Sequence, residues 1–405
     1  MAVIETVRAM SNTRGQLNFA LGVCYAAMMC VAVAANLPPV FLTTLSTDIG
    51  GPGGLTLEQL GRIGSALFGG ATLGILGSGP LADRLGAKPF AIAGNALIGV
   101  GLAVMGSVRS FAAVLLAVFL MGLGAGTLDM VLSPIVSALQ PHKRAAAMNW
   151  LHSFYCIGGV ATILAGEWAM QYGWSWRAIS HGMVVVPVLV CVGFAAARVP
   201  SLFSEQHGRT RLRQLCRQPF FVAALVAMFL VGAVELALMQ WLPAYAEKGL
   251  GFTRFVGGMA LLFFCAGMAV GRIGTGLLGH RVGAFPIMIG CTIAMIALVL
   301  VGSLAPPPGL ALGACVGAGL AVSCLWPSVL AVASDRFPHG GGSMFGVLGA
   351  TGNFGGLLMP WIVGATADLS TIHVGLATTA ACPMLLVLVL VWMRRRMAPA
   401  SPNLP

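Results

Sequence analysis

Twelve apolar runs divide the chain, and each is long enough to cross a bilayer. A helix needs about 20 apolar residues to span the hydrocarbon core. Inside lipid every backbone polar group needs a partner within the protein, which helices provide, and the short alternating strands of a transmembrane barrel are absent. The sequence therefore predicts an all-α membrane protein with twelve transmembrane helices. The predicted spans are 17–46, 57–79, 89–108, 110–138, 145–169, 177–198, 218–246, 254–278, 284–304, 308–333, 341–366 and 371–393.

The composition excludes soluble and nucleic-acid-binding proteins. Of the 405 residues, 58% are hydrophobic and 8% are charged, whereas soluble domains carry about 25% charged residues. The net charge of +11 is typical of basic loops beside anionic lipid, so a lipid bilayer and no nucleic acid is expected as partner. The ten cysteines form no Cys-x-x-Cys pair, which predicts small core residues rather than disulfides or metal ligands. No cleavable signal peptide is expected.

Lys and Arg residues are distributed unevenly between the two sides of the membrane. With the N-terminus inside, 16 of the 22 Lys and Arg residues fall on the cytoplasmic side, five fall outside, and Arg272 lies within a helix. Positive residues favour cytoplasmic loops. The bias predicts that both termini are cytoplasmic, and the expected location is the inner membrane of a bacterium.

A polar stretch at 199–217 divides the chain into two similar halves. Three short segments of the first half recur in the second, at an offset of 193 or 197 residues. Repeats of this kind predict two pseudo-symmetric six-helix bundles, 1–198 and 218–405, joined by a cytoplasmic linker, 199–217. The repeated pairs are 83–86 with 280–283, 124–134 with 317–327, and 158–159 with 355–356.

The segment between the second and third apolar runs concentrates charge and glycine. Residues 77–88 read GSGPLADRLGAK, in which the glycines allow a sharp turn and Pro80 can end the preceding helix. The segment resembles the cytoplasmic loop between helices two and three of the major facilitator superfamily, whose pattern is roughly G-x-x-x-D-R-x-G-R-K, with Ala87 in place of its first basic residue. The matching residues, which we expect to act in conformational exchange, are Gly79, Asp83, Arg84, Gly86 and Lys88.

Two acids lie well inside predicted helices, Asp129 in the fourth and Glu235 in the seventh. An ionisable group there costs about 2.5–3.5 kcal/mol on insertion scales and marks a functional site, unless it stays protonated and hydrogen-bonded between helices. His152, early in the fifth helix, lies at a depth similar to that of Asp129. An Asp near a His is a plausible proton site, and simple packing is the alternative for His152. Glu167 is expected to reach the outer interface.

Polar and aromatic residues within the helices are candidates to line a solute site. Gln240 and Trp241 suit a sugar, because an indole offers a flat apolar face and an amide bonds to hydroxyls. The alternative for Trp241, and our expectation for Tyr245, is the aromatic belt at the outer interface. Glu235 is expected to orient sugar hydroxyls. Further lining candidates are Asn36, Trp326 and Asn353.

Three short stretches resemble the fucose/galactose/glucose cation-symporter group of this superfamily. The stretches are the glycine-rich run that ends at Asp129, residues 151–154 (LHSF) with Gly158, and Glu235 six places before Trp241. The resemblance implies uptake of a hexose coupled to a proton or to sodium, with Asp129 in the coupling role. The fucose branch has an acid in helix one, whereas this chain has none between Glu5 and Asp48. The identity of the sugar stays open.

No Gly-rich phosphate loop, zinc motif or catalytic triad is present, so neither ATP-driven transport nor an enzyme is expected. We expect a monomeric secondary active transporter without a cofactor, which moves a small molecule by alternating access of two bundles. Two alternatives stay open. One is proton-coupled efflux of lipophilic drugs, which the many Met and Phe residues would suit; the other is a membrane receptor or scaffold that transports nothing.

Asp83→Asn is expected to lower the transport rate with little change in substrate affinity. The reason is the position of Asp83 at the cytoplasmic edge, where its carboxylate braces one conformation instead of touching substrate. Uptake into proteoliposomes gives the rate, and binding in detergent gives the affinity. An equal loss of binding would count against this role.

Overall fold

Helices form all the regular structure of the described chain. The computed structural model describes residues 2–140, 144–199 and 212–397, and no strand occurs among them. Twelve long helical segments follow one another within this part of the chain. They are α1 Ala2–Gly50, α2 Leu57–Leu85, α3 Ala87–Ser107, α4 Phe111–Leu139, α5 Arg144–Gln171, α6 Trp176–Ala196, α7 Pro219–Ala244, α8 Arg254–Val282, α9 Ala284–Leu304, α10 Pro308–Arg336, α11 Gly341–Leu369 and α12 Ile372–Met397.

Eleven of these described segments are long and apolar enough to cross a membrane. The remaining one, α5, has 28 residues but includes polar residues such as His152 and Glu167. The segments α6, α10 and α12 are each interrupted once by a short non-α stretch. The predicted all-α membrane fold is therefore confirmed.

The predicted end of the second helix at residue 79 is wrong, because α2 continues through Pro80 to Leu85. A proline removes one backbone donor, here the partner of the Leu76 carbonyl, and membrane helices tolerate such a loss where neighbouring groups compensate. The chain turns at Gly86, whose φ of 86° lies in the left-handed region that favours glycine. The next helix, α3, begins directly afterwards.

Lys88 joins the start of α3 to the end of α6 by hydrogen bonds. Its Nζ donates hydrogen bonds to the carbonyl oxygens of Ala195 and Ala197, at 3.0 and 2.8 Å. These carbonyls lie at a helix C-terminus, where the helix dipole favours a cation. Lys88 therefore stabilises the cytoplasmic-loop motif by capping a neighbouring helix.

The other residues of the motif differ in exposure. Gly79 is buried, and a Cβ added there would lie 3.0 Å from the Cε of Met130 in α4. Arg84 is exposed. The Asp83 side chain lies outside the described part of the chain, and the exchange role of the motif stays a prediction.

The chain divides into two compact units. The N-terminal unit comprises Met1–Gly54 and Ala66–Gln206, and the C-terminal unit comprises Leu55–Ser65 and His207–Pro405. The first nine residues of α2 thus belong to the C-terminal unit. Most of the predicted linker, 200–211, lies outside the described residues, so the predicted domain boundaries stay predictions.

Polar contacts tie three helices together at one end of the N-terminal unit. Asp48 of α1 accepts hydrogen bonds from Trp176 Nε1 and Arg177 Nη1 of α6, both at 2.8 Å. The Arg177 guanidinium also lies over the Trp176 ring, 4.3 Å from its centroid, and donates to the Val108 carbonyl oxygen after α3 at 3.3 Å. The ends of α1, α3 and α6 are therefore joined by charge-assisted bonds.

The C-terminal unit has a similar tie, centred on Tyr245. This tyrosine follows Asp48 by 197 positions, and its hydroxyl donates to the Gly302 carbonyl oxygen of α9 at 2.8 Å. It also lies 2.9 Å from Nδ1 of His373 in α12, which follows Trp176 by 197 positions. The expectation that Tyr245 belongs to the aromatic belt is wrong, because the side chain is fully buried and its hydroxyl has partners inside the protein.

Glycines allow helix backbones to touch in both units. A Cβ at Gly122 of α4 would overlap the carbonyl oxygen of Leu67 in α2, and a Cβ at Gly319 of α10 would overlap that of Phe264 in α8. The two contacts are related by an offset of 197 residues. A Cβ at Gly126 would overlap the carbonyl oxygen of Ala71 in α2, and this contact is related to that of Gly319 by the predicted offset of 193. The contacts thus fit both registers, which differ by four residues, about one helical turn, and the predicted offset stays a prediction.

The start of α2 is anchored to α11 within the C-terminal unit. The Asp368 carboxylate accepts hydrogen bonds from the backbone N–H groups of Leu57 and Glu58, at 2.9 and 2.8 Å. An acid at a helix N-terminus satisfies donors that lack a partner in the helix. The Glu58 carboxylate in turn accepts from Trp361 Nε1 and Arg62 Nε, both at 2.6 Å.

Gly122→Ala is expected to lower the free energy of unfolding by about 1–3 kcal/mol, because the added methyl group forces α2 and α4 apart. The measurement is the apparent unfolding temperature of the purified protein in detergent. Gly77→Ala in α2 is the matched control, since nothing lies within 4 Å of a Cβ there, and it should not lower the unfolding temperature. Equal effects of the two variants would contradict the packing argument.

Candidate functional site

A buried charged pair lies in the C-terminal unit. Glu235 of α7 is 5% exposed, and its Oε1 lies 3.6 Å from Nη2 of Arg272 in α8. About a quarter of the Arg272 side chain is exposed, 27% against 7% for Glu235. Among the described residues, Glu235 Oε2 has no hydrogen-bond partner. A carboxylate with one oxygen unpaired inside a membrane helix can accept a proton or a solute hydroxyl.

The break in α10 lies beside this pair and has a local cause. Pro327 has no backbone N–H, so the Ser323 carbonyl oxygen lacks its helical donor. The α-helix stops at Val322 and resumes at Leu325, and Arg272 Nε donates to the Ser323 carbonyl oxygen at 3.4 Å. Interrupted helices are typical of solute sites in transporters.

Trp326 and Asn353, two predicted lining residues, lie on α10 and α11. Trp326 follows the break and is partly buried, and a Cβ at Gly352 would overlap its ring. Asn353, which follows Gly352 in α11, donates a hydrogen bond to the Gly349 carbonyl oxygen of its own helix at 3.0 Å. The tryptophan ring is thus packed on the glycine face of α11, and part of it stays accessible.

Gln240 and Trp241 are both buried on α7, with different hydrogen bonding. Gln240 is 1% exposed, and neither its amide nitrogen nor its amide oxygen has a partner among the described residues. Its Cγ would lie 2.8 Å from a Cβ at Gly64. Trp241 has no exposed surface, and its Nε1 donates to the Pro360 carbonyl oxygen of α11 at 3.0 Å. The amide is therefore free to bind a solute, whereas the indole N–H is already satisfied.

The helix that carries Gln240 and Trp241 is continuous around them. α7 stays α-helical from Pro219 to Ala244, through Pro243, and a π-helical turn, Tyr245–Gly249, follows it. The stacking role predicted for Trp241 needs a free ring face, which its burial against α11 does not provide in this structure. A packing role accounts for its contacts, and its role in sugar binding stays a prediction.

The predicted coupling residues belong to the N-terminal unit. Asp129 lies in α4, three residues after Gly126, and is partly buried, while His152 on α5 is exposed. Asn36 of α1 is 1% exposed and donates to the Ala32 carbonyl oxygen of its own helix at 2.9 Å. A Cβ at Gly159 of α5 would lie 3.2 Å from its amide nitrogen. The proposed pairing of Asp129 with His152 stays a prediction.

Two ionisable residues differ from what the sequence patterns indicate. Glu167 is fully buried, so the expectation that it reaches the interface is wrong. Arg272, noted in the sequence only as a base within a helix, is the ion-pair partner of Glu235. An intramembrane base and an intramembrane acid on consecutive helices are the signal that could have paired them.

The sequence profile of the Major Facilitator Superfamily matches residues 21–360. The match covers most of the chain. The chain belongs to this superfamily. Members of this superfamily are integral membrane secondary transporters, and they are not enzymes.

Curated relatives of this superfamily member differ in their stated substrates. It is 29% identical over 191 residues to the multidrug resistance protein MdtH of Shigella dysenteriae serotype 1, across 46% of this chain and 44% of that one. It is 26% identical over 315 residues to the probable nitrate/nitrite transporter NarK2 of Mycobacterium tuberculosis, across 73% and 76% of the two chains. The chain thus spans less than half the length of the MdtH relative.

Solved structures share the fold of this superfamily transporter. The Escherichia coli fucose:proton symporter FucP superposes with a TM-score of 0.64 at 18% identity, over 92% of this chain and 98% of that one. The nucleoside transporter NupG superposes with a TM-score of 0.71 at 12% identity, over 92% and 99%. At such identities the likeness establishes the fold alone, and it does not transfer a substrate.

Trp241→Ala in this transporter is expected to lower the apparent unfolding temperature, since truncation of a buried tryptophan costs about 3–5 kcal/mol. Trp168→Ala is the matched control, because that ring is 60% exposed on α5, and its effect should be smaller. Weaker sugar binding by about 1–2 kcal/mol without a loss of stability would instead support the stacking role predicted for Trp241.

Proposed function

We propose that the chain takes up a hexose-like sugar by cation symport, with a proton or sodium as the coupling ion. The observation that carries the proposal is the set of unpartnered buried polar atoms in α7, Glu235 Oε2 and both amide atoms of Gln240. Sugar hydroxyls both donate and accept hydrogen bonds, and these atoms offer one carboxylate acceptor, one amide acceptor and one amide donor. Bonds to a solute would offset the cost of burying them.

Asp129 is proposed as the coupling residue. A coupling carboxylate must be charged in one state of the cycle and neutral or ion-bound in another, so its access to water has to change. Asp129 is partly buried on a helix whose glycines touch α2 and that carries Pro134 five residues further on. A helix packed through glycines can shift against its neighbour without large side chains in the way. His152, which is exposed on α5, is proposed as the second group of the proton path.

The cycle follows from these assignments. Binding of the cation neutralises Asp129, and binding of the sugar satisfies the polar atoms on α7. Once the charge on Asp129 is neutralised and the polar atoms on α7 are hydrogen-bonded, the protein can change the side of the membrane to which it opens by alternating access. Loss of the cation on the cytoplasmic side restores the charge on Asp129, and the sugar leaves.

Direction, location and assembly are part of the proposal. We propose an inner-membrane protein with both termini in the cytoplasm, acting as a monomer without a bound cofactor. The distribution of Lys and Arg supports this orientation. FucP, which shares the fold, is a fucose:proton symporter, in keeping with a proton as the cation.

Asp129→Asn is expected to abolish accumulation against a gradient while equilibrative exchange continues, because the variant binds sugar but releases no proton. Glu235→Gln is expected to weaken sugar binding by about tenfold or more, the range for a lost hydrogen bond to a charged group. The assay compares counterflow with gradient-driven uptake in proteoliposomes, under separate proton and sodium gradients.

Asp335→Asn is the control for loss of an acid, since Asp335 is exposed near the end of α10 and both activities should survive there. Full gradient-driven accumulation by Asp129→Asn would exclude the coupling role. Loss of both activities in a folded Asp129→Asn variant would assign Asp129 to substrate binding.

The second candidate function is proton-coupled efflux of lipophilic compounds. The observation in its favour is that two of the curated relatives are multidrug resistance proteins named MdtH, 29% and 31% identical over 191 and 161 residues. An exporter should raise the resistance of a drug-sensitive host, whereas an importer should restore growth on a single sugar to a host that lacks hexose uptake.

A further inference from the structure

Arg272 has more hydrogen-bonding capacity than its neighbours use. A guanidinium carries five N–H donors in a planar fork. Its two described contacts are long, 3.6 Å from Nη2 to Glu235 Oε1 and 3.4 Å from Nε to the Ser323 carbonyl oxygen, whereas charge-assisted bonds are about 2.7–2.9 Å. The contacts hold the guanidinium loosely, and about a quarter of the side chain is accessible, 27%.

The placement of this base needs an explanation, because a charged group within a membrane helix is costly. Arg272 lies in the span Arg254–Thr275. Glu235 balances its charge without saturating its donors. The structural pair of Arg177 with Asp48 closes to 2.8 Å, whereas Arg272 and Glu235 stay 3.6 Å apart and Glu235 Oε2 is left unpaired. A loose, partly accessible arginine beside a break in α10 is suited to bind a ligand.

We propose that the solute is a sugar acid, whose carboxylate binds the Arg272 fork while its hydroxyls bind Glu235 Oε2. The proposal rests on the sugar-transport function given above and names its substrate class. Arg binds a planar carboxylate with two parallel N–H donors, a geometry that a neutral hexose does not offer. The carboxylate of the solute would accept hydrogen bonds from the Arg272 N–H groups that Glu235 and Ser323 do not use.

The charge carried in each cycle follows from this assignment. A sugar acid at neutral pH carries one negative charge, and the coupling proton carries one positive charge. The solute and the proton together carry no net charge across the membrane. Transport of a sugar acid is therefore electroneutral, whereas proton symport of a neutral hexose moves one positive charge in each cycle.

The test uses the full chain in proteoliposomes, with glucuronate, glucose and nitrate as probes under an inward proton gradient. We expect glucuronate to be accumulated and to bind about 10- to 100-fold more tightly than glucose, the range for a charge-assisted pair. A potassium diffusion potential should leave glucuronate uptake unchanged, because the cycle is electroneutral.

Three variants separate binding from folding. Arg272→Gln should remove the preference for glucuronate, so that the variant binds glucuronate and glucose with affinities within about twofold of each other. Arg272→Lys should retain part of the preference, since it keeps the charge and loses the fork. Arg254→Gln removes a base from the outer end of the same helix and should leave the preference intact. Unfolding temperatures show whether each variant is folded, and the wild-type comparison decides the question without any variant.

The outcomes distinguish the two proposals. Preferential and electroneutral transport of glucuronate supports the sugar-acid site. Glucose transported with equal or higher affinity than glucuronate overturns the sugar-acid site and leaves sugar symport standing. Nitrate transported without either sugar overturns both. Unchanged glucuronate preference in folded Arg272→Gln overturns the role of Arg272.

Discussion

The fold depends on one constraint: within the hydrocarbon, every backbone N–H and C=O must find its partner inside the protein. Continuous helices meet that constraint, and the few interruptions need substitutes. At Ser323 the substitute is a charged side chain, because Pro327 removes the helical donor and Arg272 Nε takes its place. At the start of α2 it is the Asp368 carboxylate, which accepts from two backbone N–H groups. Charged side chains therefore supply the missing partners where the helical ladder begins or breaks.

A second consequence concerns helix–helix contact. Lipid supplies little hydrophobic force between helices, so close van der Waals contact has to stabilise them, and small residues make it possible. The equivalent contacts at Gly122 and Gly319 place backbone against backbone in both units. Because small apolar residues occupy most positions in the spans, few side chains there can bind a solute or a proton. Each polar residue in a span is therefore a candidate for function. Glu235 and Arg272, which contact each other at 3.6 Å, show how two such residues act together.

The sequence allowed much of the fold to be predicted and rather little of the site. Apolar runs of bilayer length predicted twelve helices, and the structure has a helix at each predicted span. The helix boundary at Pro80 could not be read from the chain, because a proline near a helix end is compatible with either state. The register of the glycine repeat was equally ambiguous, since several glycines stand four residues apart or less. Site residues such as Gln240 and Trp241 are neighbours in sequence, but their hydrogen bonding differs.

What the sequence by itself determined is the class of protein: apolar runs of bilayer length can be satisfied only as packed helices, and an acid inside such a run is a candidate functional residue. The tertiary structure alone decided which polar groups are already satisfied. It gave the Tyr245 hydroxyl its partners at Gly302 and His373, and it left Gln240 with none among the described residues. Hydrogen bonds between helices join residues far apart in the chain, and side-chain direction depends on helix rotation, which composition and spacing do not specify.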